Sequence, residues 1–229
     1  MQINRPASRR HGFALIVVLS SLAILTIIFS VASSRTMSRL LDGATEGKLA
    51  QRGATNRELL QLALQLKSTA AGRDETEFRV TLNGQDYILF LQDVGGLIDL
   101  NTAAPDMLEK VVDAFDLGPE AMADYIAWRR SGRRLLRVGD FLRVTGAGQE
   151  RLAELQAIAT VHSGRHGIAP DVAPAGVLAL LERAELPPTW LSPPSGVNYA
   201  VGLREGTGAR RIGVVHLGQG LGDGRVLGE

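Results

Sequence analysis

The sequence predicts an α+β fold in which a long N-terminal helix precedes a small antiparallel sheet, and a block of helices interrupts that sheet. An apolar run opens the chain, and helix-compatible sequence continues to residue 71. Segments with the alternation and turn residues of β-hairpins lie around residue 84 and around residue 207. Between them, residues 101–184 carry repeated signals for the starts and ends of helices.

The N-terminal apolar run is long enough to cross a membrane. Residues 13–32 contain no charged side chain, and a helix of about twenty residues spans about 30 Å. Arg5, Arg9 and Arg10 precede the run, which predicts a cytoplasmic N-terminus with the rest of the chain on the other side. We predict a transmembrane helix over residues 13–34.

Three interpretations of this run are open. Ser30-Val31-Ala32 offers a cleavage site for a secretory signal, although the apolar region of such signals is usually roughly 7–15 residues long. An uncleaved anchor explains the length but gives Gly12 and Phe13 no role. The third interpretation is cleavage between Gly12 and Phe13 with the helix retained, and it accounts for both the length and the basic leader.

A short basic leader followed by Gly12, Phe13 and an apolar helix resembles the signal of type IV prepilins. The resemblance implies that a prepilin peptidase removes residues 1–12 and methylates the new N-terminal amine of Phe13. Pilins usually carry glutamate at the fifth mature position, where this sequence has Val17. A carboxylate in an apolar bundle requires a cationic partner such as a neighbour's terminal amine, and a terminal subunit has no such neighbour. Val17 therefore favours a special minor subunit.

The remaining segments predict the order of the helices and strands. Leucines recur at helical spacing between Arg35 and Ala71, which is compatible either with a solvated connecting helix or with a helix that packs on a sheet. Asn83-Gly84 predicts a type I′ turn in the first hairpin, and a second hairpin is predicted around 205–209. The glycine-rich sequence after His216 predicts a flexible tail.

Proline and glycine mark the helices of the central block. The predicted helices begin at Pro105, Glu120, Gln149 and Pro174 and end at Ala114, Arg130, Ala159 and Pro187-Pro188, respectively. The block resembles paired helix-hairpin-helix elements, in which glycines let backbone N–H groups approach a phosphate. Gly118 would lie in the first hairpin, and Gly146 and Gly148 in the second. Asp116 replaces the opening glycine of the first hairpin, which makes it a poor anion site.

Five arginines lie close together in this block, at Arg129, Arg130, Arg133, Arg134 and Arg137. They could bind a phosphate backbone, or they could form a solvated face or pair with acidic neighbours. Aromatic residues that would stack on bases are not interleaved with them. The 217 residues after the leader would also carry a net charge of about −2, which gives no overall attraction to nucleic acid. We therefore predict that nucleic acid is not a partner.

The sequence predicts neither a metal site nor an enzyme. Cysteine is absent, which excludes disulfides and thiolate chemistry. His162 and His166 have the spacing of metal ligands on a helix, but VHSGRHG is typical of a loop. Loop acids without the alternating oxygen ligands of a calcium loop are scattered at Asp93, Asp99, Asp171 and Asp223. No catalytic residues and no cofactor are predicted, because no serine–histidine–aspartate or paired-carboxylate set stands out by spacing.

In their order, these elements resemble the general secretion pathway protein K family, the largest minor pseudopilins of type II secretion systems. The resemblance rests on the Gly12-Phe13 signal with Val17, the long helix, the first hairpin, the LNTAAPDML segment and the C-terminal strands. It implies a pilin-like helix on a small sheet, with an all-helical helix-hairpin-helix or SAM-like domain inserted between strands. It also implies a single-pass protein of the bacterial inner membrane with its bulk in the periplasm.

The family caps a short periplasmic filament, the pseudopilus, which supports export of folded proteins across the outer membrane. The implied partners are the I- and J-type minor pseudopilins, the prepilin peptidase and the inner-membrane secretion platform. Some members bind calcium, but no ligand positions carry over to this sequence. The alternative is a membrane-tethered helix-hairpin-helix receptor for DNA in a competence or type IV pilus system. It would account for the arginines, but not for Gly12-Phe13 or for the two flanking hairpins.

The predicted organisation has five segments. They are a leader (1–12), a transmembrane helix (13–34), the pseudopilin helix with the first hairpin (35–98), the inserted helical domain (99–188), and the C-terminal strands with a flexible tail (189–229).

Overall fold

The computed structural model describes the backbone of residues 9–69, 76–182, 186–205, 208–218 and 224–228, and within the first helix the side chains of 18–23, 25–27, 29–30 and 46–69. These residues confirm the predicted α+β class. The helices are α1 (Arg9–Thr69), α2 (Pro105–Ala114), α3 (Pro119–Arg130), α4 (Val138–Thr145), α5 (Leu152–Ile158) and α6 (Ala175–Leu180). The strands are β1 (Glu77–Leu82), β2 (Gln85–Asp93), β3 (Ile98–Asp99), β4 (Ala159–Thr160), β5 (Asn198–Glu205), β6 (Gly208–His216) and β7 (Arg225–Gly228).

The chain divides into two units, the first ending at Thr55 and the second beginning at Asn56. In the first unit the structure describes α1 from Arg9 onwards. The second unit contains the last turns of α1, both sheets and the other helices.

The main sheet has five antiparallel strands in the order β1-β2-β5-β6-β7. Both predicted hairpins are present in it. Asn83 and Gly84 join β1 to β2 with φ angles of 52° and 75°, as a type I′ turn requires. In the second hairpin, Glu205 of β5 is paired with Gly208 of β6.

Residues 56–69 of α1 pack on one face of this sheet. Leu59, Leu60 and Ala63 are fully buried there, at the helical spacing that the leucine pattern predicts. The sheet side of this core is formed by Phe78, Leu89, Leu91, Val201, Leu203, Ile212 and Val215. A fully buried leucine contributes about 1.5–3 kcal/mol relative to an exposed one. The interpretation as a solvated connecting helix is therefore wrong for this part of α1.

The opposite face of the sheet contacts the helical block through Ala200 and Val214, which belong to the second core. That core combines buried residues of α2, α3 and α4 with residues of the connecting segments and shorter elements, and its largest fully buried side chain is Tyr125. The block is not all-helical as predicted, because β3 and β4 pair in parallel within it. Two-residue strands are too short to produce a periodic pattern in the sequence.

Three further predictions need correction. α5 begins only at Leu152, after a 3₁₀ turn at Gln149–Arg151, and it ends before Ala159, which belongs to β4. α6 ends at Leu180, well before the prolines, and Glu182 just beyond it is left-handed with φ 53°. The predicted flexible tail contains β7, which adds a fifth strand to the sheet beside β6.

Candidate functional site

The predicted processing site and tip position cannot be placed in the fold. Gly12, Phe13 and Val17 lie outside the residues whose side chains the structure describes, as does the rest of the leader. Cleavage, methylation and the role of Val17 therefore stay predictions.

The predicted membrane span also lies partly outside the described residues. Among the residues that are described, no helical segment is both long and apolar enough to cross a membrane. Six large apolar side chains in this part of α1 are nevertheless between 55% and 75% exposed: Val18, Leu19, Leu22, Leu25, Ile27 and Phe29. The described part of the first unit thus presents apolar surface that it does not bury itself.

The two helical hairpins of the block, α2–α3 and α4–α5, close with the same backbone hydrogen bond. In the first, the Leu117 N–H donates to the Val112 carbonyl at 3.0 Å. In the second, the Ala147 N–H donates to the Leu142 carbonyl at 2.8 Å. Each bond spans five residues and closes the end of the preceding helix, as in a Schellman motif.

The turn residues of the two hairpins also correspond. Asp116 and Gly146 occupy the same place and are both left-handed, with φ angles of 51° and 74°. Gly118 and Gly148 follow two positions later with ordinary φ values and stand immediately before the next helical turn. All three glycines singled out by the sequence therefore lie in the hairpin turns. Asp116 replaces the opening glycine without changing the backbone path, because aspartate tolerates this conformation better than most residues.

Carboxylates lie in both turns, where a phosphate would have to approach. The exposed Asp116 side chain belongs to the first turn, and Glu120 is in the first turn of α3. In the second turn the Glu150 carboxylate lies against Gly148, where a Cβ would collide with it. A phosphate at either turn would meet negative charge, so neither hairpin is a favourable anion site. Glu150 is not among the predicted site residues, because the glycines alone identify the second turn in the sequence.

The five clustered arginines do not act as one unit. Arg129 donates to the Ala103 carbonyl at 3.0 Å, which ties the end of α3 to the start of α2. Arg130, Arg133, Arg134 and Arg137 are exposed, and within the described part of the chain none of them forms an ion pair. Their segment is therefore a solvated basic surface.

Asp93 is a buried carboxylate that joins two distant segments. It is 8% exposed and stands at the end of β2. Its Oδ1 accepts hydrogen bonds from the Gly95 N–H at 2.7 Å and the Ser195 N–H at 2.9 Å, and its Oδ2 accepts one from the Gly196 N–H at 2.7 Å. The chain leaves the sheet at Gly95 and returns to it after Gly196. One side chain therefore holds both ends of the inserted block.

Asp99 has a similar structural role inside the block. It is 1% exposed, and its carboxylate accepts bonds from the Asn101 N–H at 2.8 Å, the Gly164 N–H at 2.7 Å and the Ser163 hydroxyl at 3.1 Å. These bonds fix the loop that carries His162. Burial holds the pKa of His162 below its ordinary value, and the attraction of the Asp99 carboxylate opposes this shift without cancelling it.

The candidate metal ligands do not come together. His162 and His166 lie in a loop, as predicted, and the Nδ1 of His166 is within 2.7 Å of the Thr102 carbonyl. Asp171 is exposed in a separate 3₁₀ turn, and Asp223 lies outside the described residues. Among the described residues, no three histidine or acidic side chains are grouped as a metal ion would require.

No family model, no curated protein and no solved structure matches this chain.

Proposed function

We propose that this protein is a minor pseudopilin of a type II secretion system that caps the tip of the periplasmic pseudopilus with the I- and J-type subunits. The observation that carries the proposal is the place of the helical block. The block is inserted in the chain between β2 and β5, which are neighbours in an antiparallel sheet. One face of this sheet packs on the block and the opposite face packs on the end of α1. A pseudopilin core with an inserted helical domain has the same order of elements.

The exposed apolar surface of α1 agrees with this function. Contiguous exposed apolar residues on a helix mark a surface that contacts a membrane or other protein chains. In a pseudopilus the same helix would first lie in the inner membrane and then pack against the helices of neighbouring subunits. The inner-membrane location, the prepilin peptidase and the secretion platform belong to the same proposal.

Val17 would specify the terminal position. A helical bundle places each N-terminal ammonium in apolar surroundings, where an unpaired charge is unfavourable. Subunits along the shaft would each supply a carboxylate to a neighbour's amine. Val17 cannot supply one, so this chain is expected at one end of the filament and in few copies.

The test is the mature N-terminus of the protein expressed with its secretion system. We expect mass spectrometry to find N-methylated Phe13, and Gly12→Leu to abolish processing. Ala32→Leu is the matched control, because it blocks a secretory signal peptidase but leaves a prepilin site intact. An N-terminus at Ser33, lost in Ala32→Leu, would refute the proposal. So would quantitative counting that finds many copies per filament or no association with the I- and J-type subunits.

A second candidate is the membrane-tethered receptor for DNA. The exposed arginines Arg130, Arg133, Arg134 and Arg137 favour it, because they lack acidic partners among the described residues. The carboxylates in both hairpin turns weigh against it. Its test is the salt dependence of DNA binding, which is given in the Discussion.

A further inference from the structure

A cavity of about 420 Å³ lies between the sheet and the helical block. It is on the face of the sheet away from α1, because Ala200 in its wall belongs to the core shared with the block. The wall is mostly apolar and includes Phe90, Leu97, Ala157 and Pro174. Its volume falls within the range of about 300–1,000 Å³ that is typical of pockets for small ligands.

A β-bulge in β6 directs Arg211 towards this cavity. β6 pairs Val214 with Ala200 and, after the irregularity, Arg211 with Gly202, so that Ile212 is an extra residue. Ile212 packs in the core on the α1 side. Without the bulge, strict alternation would place Ile212 on the cavity side and Arg211 towards α1. Bulges often redirect a side chain next to a functional site.

The residues opposite Arg211 leave room for its guanidinium. Phe90, Gly202 and Arg211 stand side by side on β2, β5 and β6. The ring of Phe90 covers Gly202 so closely that a Cβ there would collide with it. Glycine at the centre of this row therefore allows the aromatic ring and the cation to form one continuous wall.

Arg211 has no acidic partner among the residues that the structure describes. Its Nη1 donates to the Ala159 carbonyl at 2.9 Å, and in the described part of the chain no carboxylate oxygen lies within 4.0 Å of it. Burial lowers the pKa of Arg211 to about 10, and no neighbouring carboxylate offsets this shift. A largely buried cation without a counter-charge is unfavourable, so the cavity is complementary to an anion.

We propose that the cavity binds a small carboxylate with an aliphatic chain, which pairs its carboxylate with Arg211 and lays its chain along Phe90 and Leu97. This site is separate from the hairpin turns and does not depend on the pseudopilin function. The competing explanation is that Arg211 serves only to anchor the end of α5 through the Ala159 carbonyl. The same ligand chemistry occurs in fatty acids and in the apolar C-terminus of a peptide.

Calorimetric titration of the full chain in a neutral detergent distinguishes these explanations. The probes are octanoate and its uncharged counterpart octanamide, together with an acetylated Ala-Ala-Leu peptide as the free acid and as the amide. We expect octanoate to bind at least about tenfold more tightly than octanamide, a difference of about 1.4 kcal/mol. Tighter binding of the peptide acid than of octanoate would identify a peptide as the source of the carboxylate.

Three variants locate the binding. Arg211→Gln keeps a donor for the Ala159 carbonyl but removes the charge, and it should weaken octanoate binding about tenfold. Arg225→Gln removes a charge from an exposed side chain of the neighbouring strand β7, outside the cavity wall, and should leave binding unchanged. Ala157→Phe keeps Arg211 but fills the cavity, and it should abolish binding of every probe.

The inference is overturned if octanoate and octanamide bind equally well, or if neither carboxylate binds. It is also overturned if Arg211→Gln lowers the thermal stability of the protein while the affinity for octanoate stays the same. That result would leave Arg211 as an anchor of α5 alone.

Discussion

Replacement of Asp93 tests whether one carboxylate holds the inserted block to the sheet. Asp93→Ala would leave three backbone N–H groups, those of Gly95, Ser195 and Gly196, without their acceptor. Hydrogen bonds to a charged group contribute about 1.5–3 kcal/mol each, and the three are not additive because they share one side chain. A buried N–H group left without an acceptor costs about 1–3 kcal/mol, so we expect Asp93→Ala to destabilise the protein by roughly 3 kcal/mol or more.

Asp93→Asn refines the test, because its single oxygen still accepts the two bonds made by Oδ1. Its amide NH₂ would face the Gly196 N–H, so we expect a smaller loss of about 2 kcal/mol. The assay is urea unfolding of the full chain in neutral detergent, followed by tryptophan fluorescence, since Trp190 is buried close in sequence to Ser195. Asp86→Asn is the control: Asp86 lies on the same strand but is exposed, and its carboxylate accepts a hydrogen bond from the exposed Thr81 hydroxyl, so the effect should be within about 0.5 kcal/mol. A loss below about 1 kcal/mol in Asp93→Ala would refute the role assigned to this carboxylate.

Three further predictions use other parts of the block. Gly146→Ala should destabilise the protein by about 1 kcal/mol in the same urea assay, because Gly146 is left-handed. Gly47→Ala inside α1 should not, because both sites have space for a Cβ and only Gly146 has a positive φ; equal effects would contradict this. Burial holds the pKa of His162 below 6.5, so the contribution of neutral His162 to the free energy of unfolding should be fully present above about pH 6.5 and should fall as the pH drops below that value. His162→Gln should remove this loss of stability, and replacement of the exposed His166 by glutamine should not. The full chain in neutral detergent should not bind duplex or single-stranded DNA tightly. Submicromolar affinity with a steep salt dependence would instead favour the DNA receptor, provided that replacing Arg133 and Arg134 by glutamine abolishes it.

Local chemistry made much of the fold predictable. Asn83-Gly84 fixes the first hairpin because both residues tolerate positive φ, and Pro105 fixes the start of α2 because proline suits a first helical turn. α3 begins at Pro119, one residue before its predicted start at Glu120. Two of the predicted features that failed depend on pairing with another strand and not on a local pattern. β7 is a strand because β6 offers it an edge, although its glycine-rich neighbourhood is typical of a tail. The pairing of β3 with β4 joins residues about sixty positions apart and leaves no local pattern.

The functional residues show the same division. The positions of Gly118, Gly146 and Gly148 in helical turns follow from local sequence. Asp93 and Asp99 look like scattered loop acids, because their donors come from segments far away in the chain. Arg211 could not be singled out either, since a strict alternation of strand residues gives it the wrong face. A bulge can be recognised only when the register of the two paired strands is known.

The point at which the block is inserted leaves the two faces of the sheet with different packing. β2 and β5 are paired in register up to Asp93 and Tyr199, so residues 94–197 leave and re-enter the sheet at one end of the same ladder. Asp93 closes that end by bonding to both connecting segments. One face of the sheet is then committed to α1 through an uninterrupted apolar core, while the other face meets the block across a cavity with an unneutralised cation. Substitutions at the two faces should consequently have different effects. Changes in the α1 core, such as Leu60→Ala, should destabilise the fold by about 2–5 kcal/mol, whereas Arg211→Gln should mainly lower the affinity for the ligand.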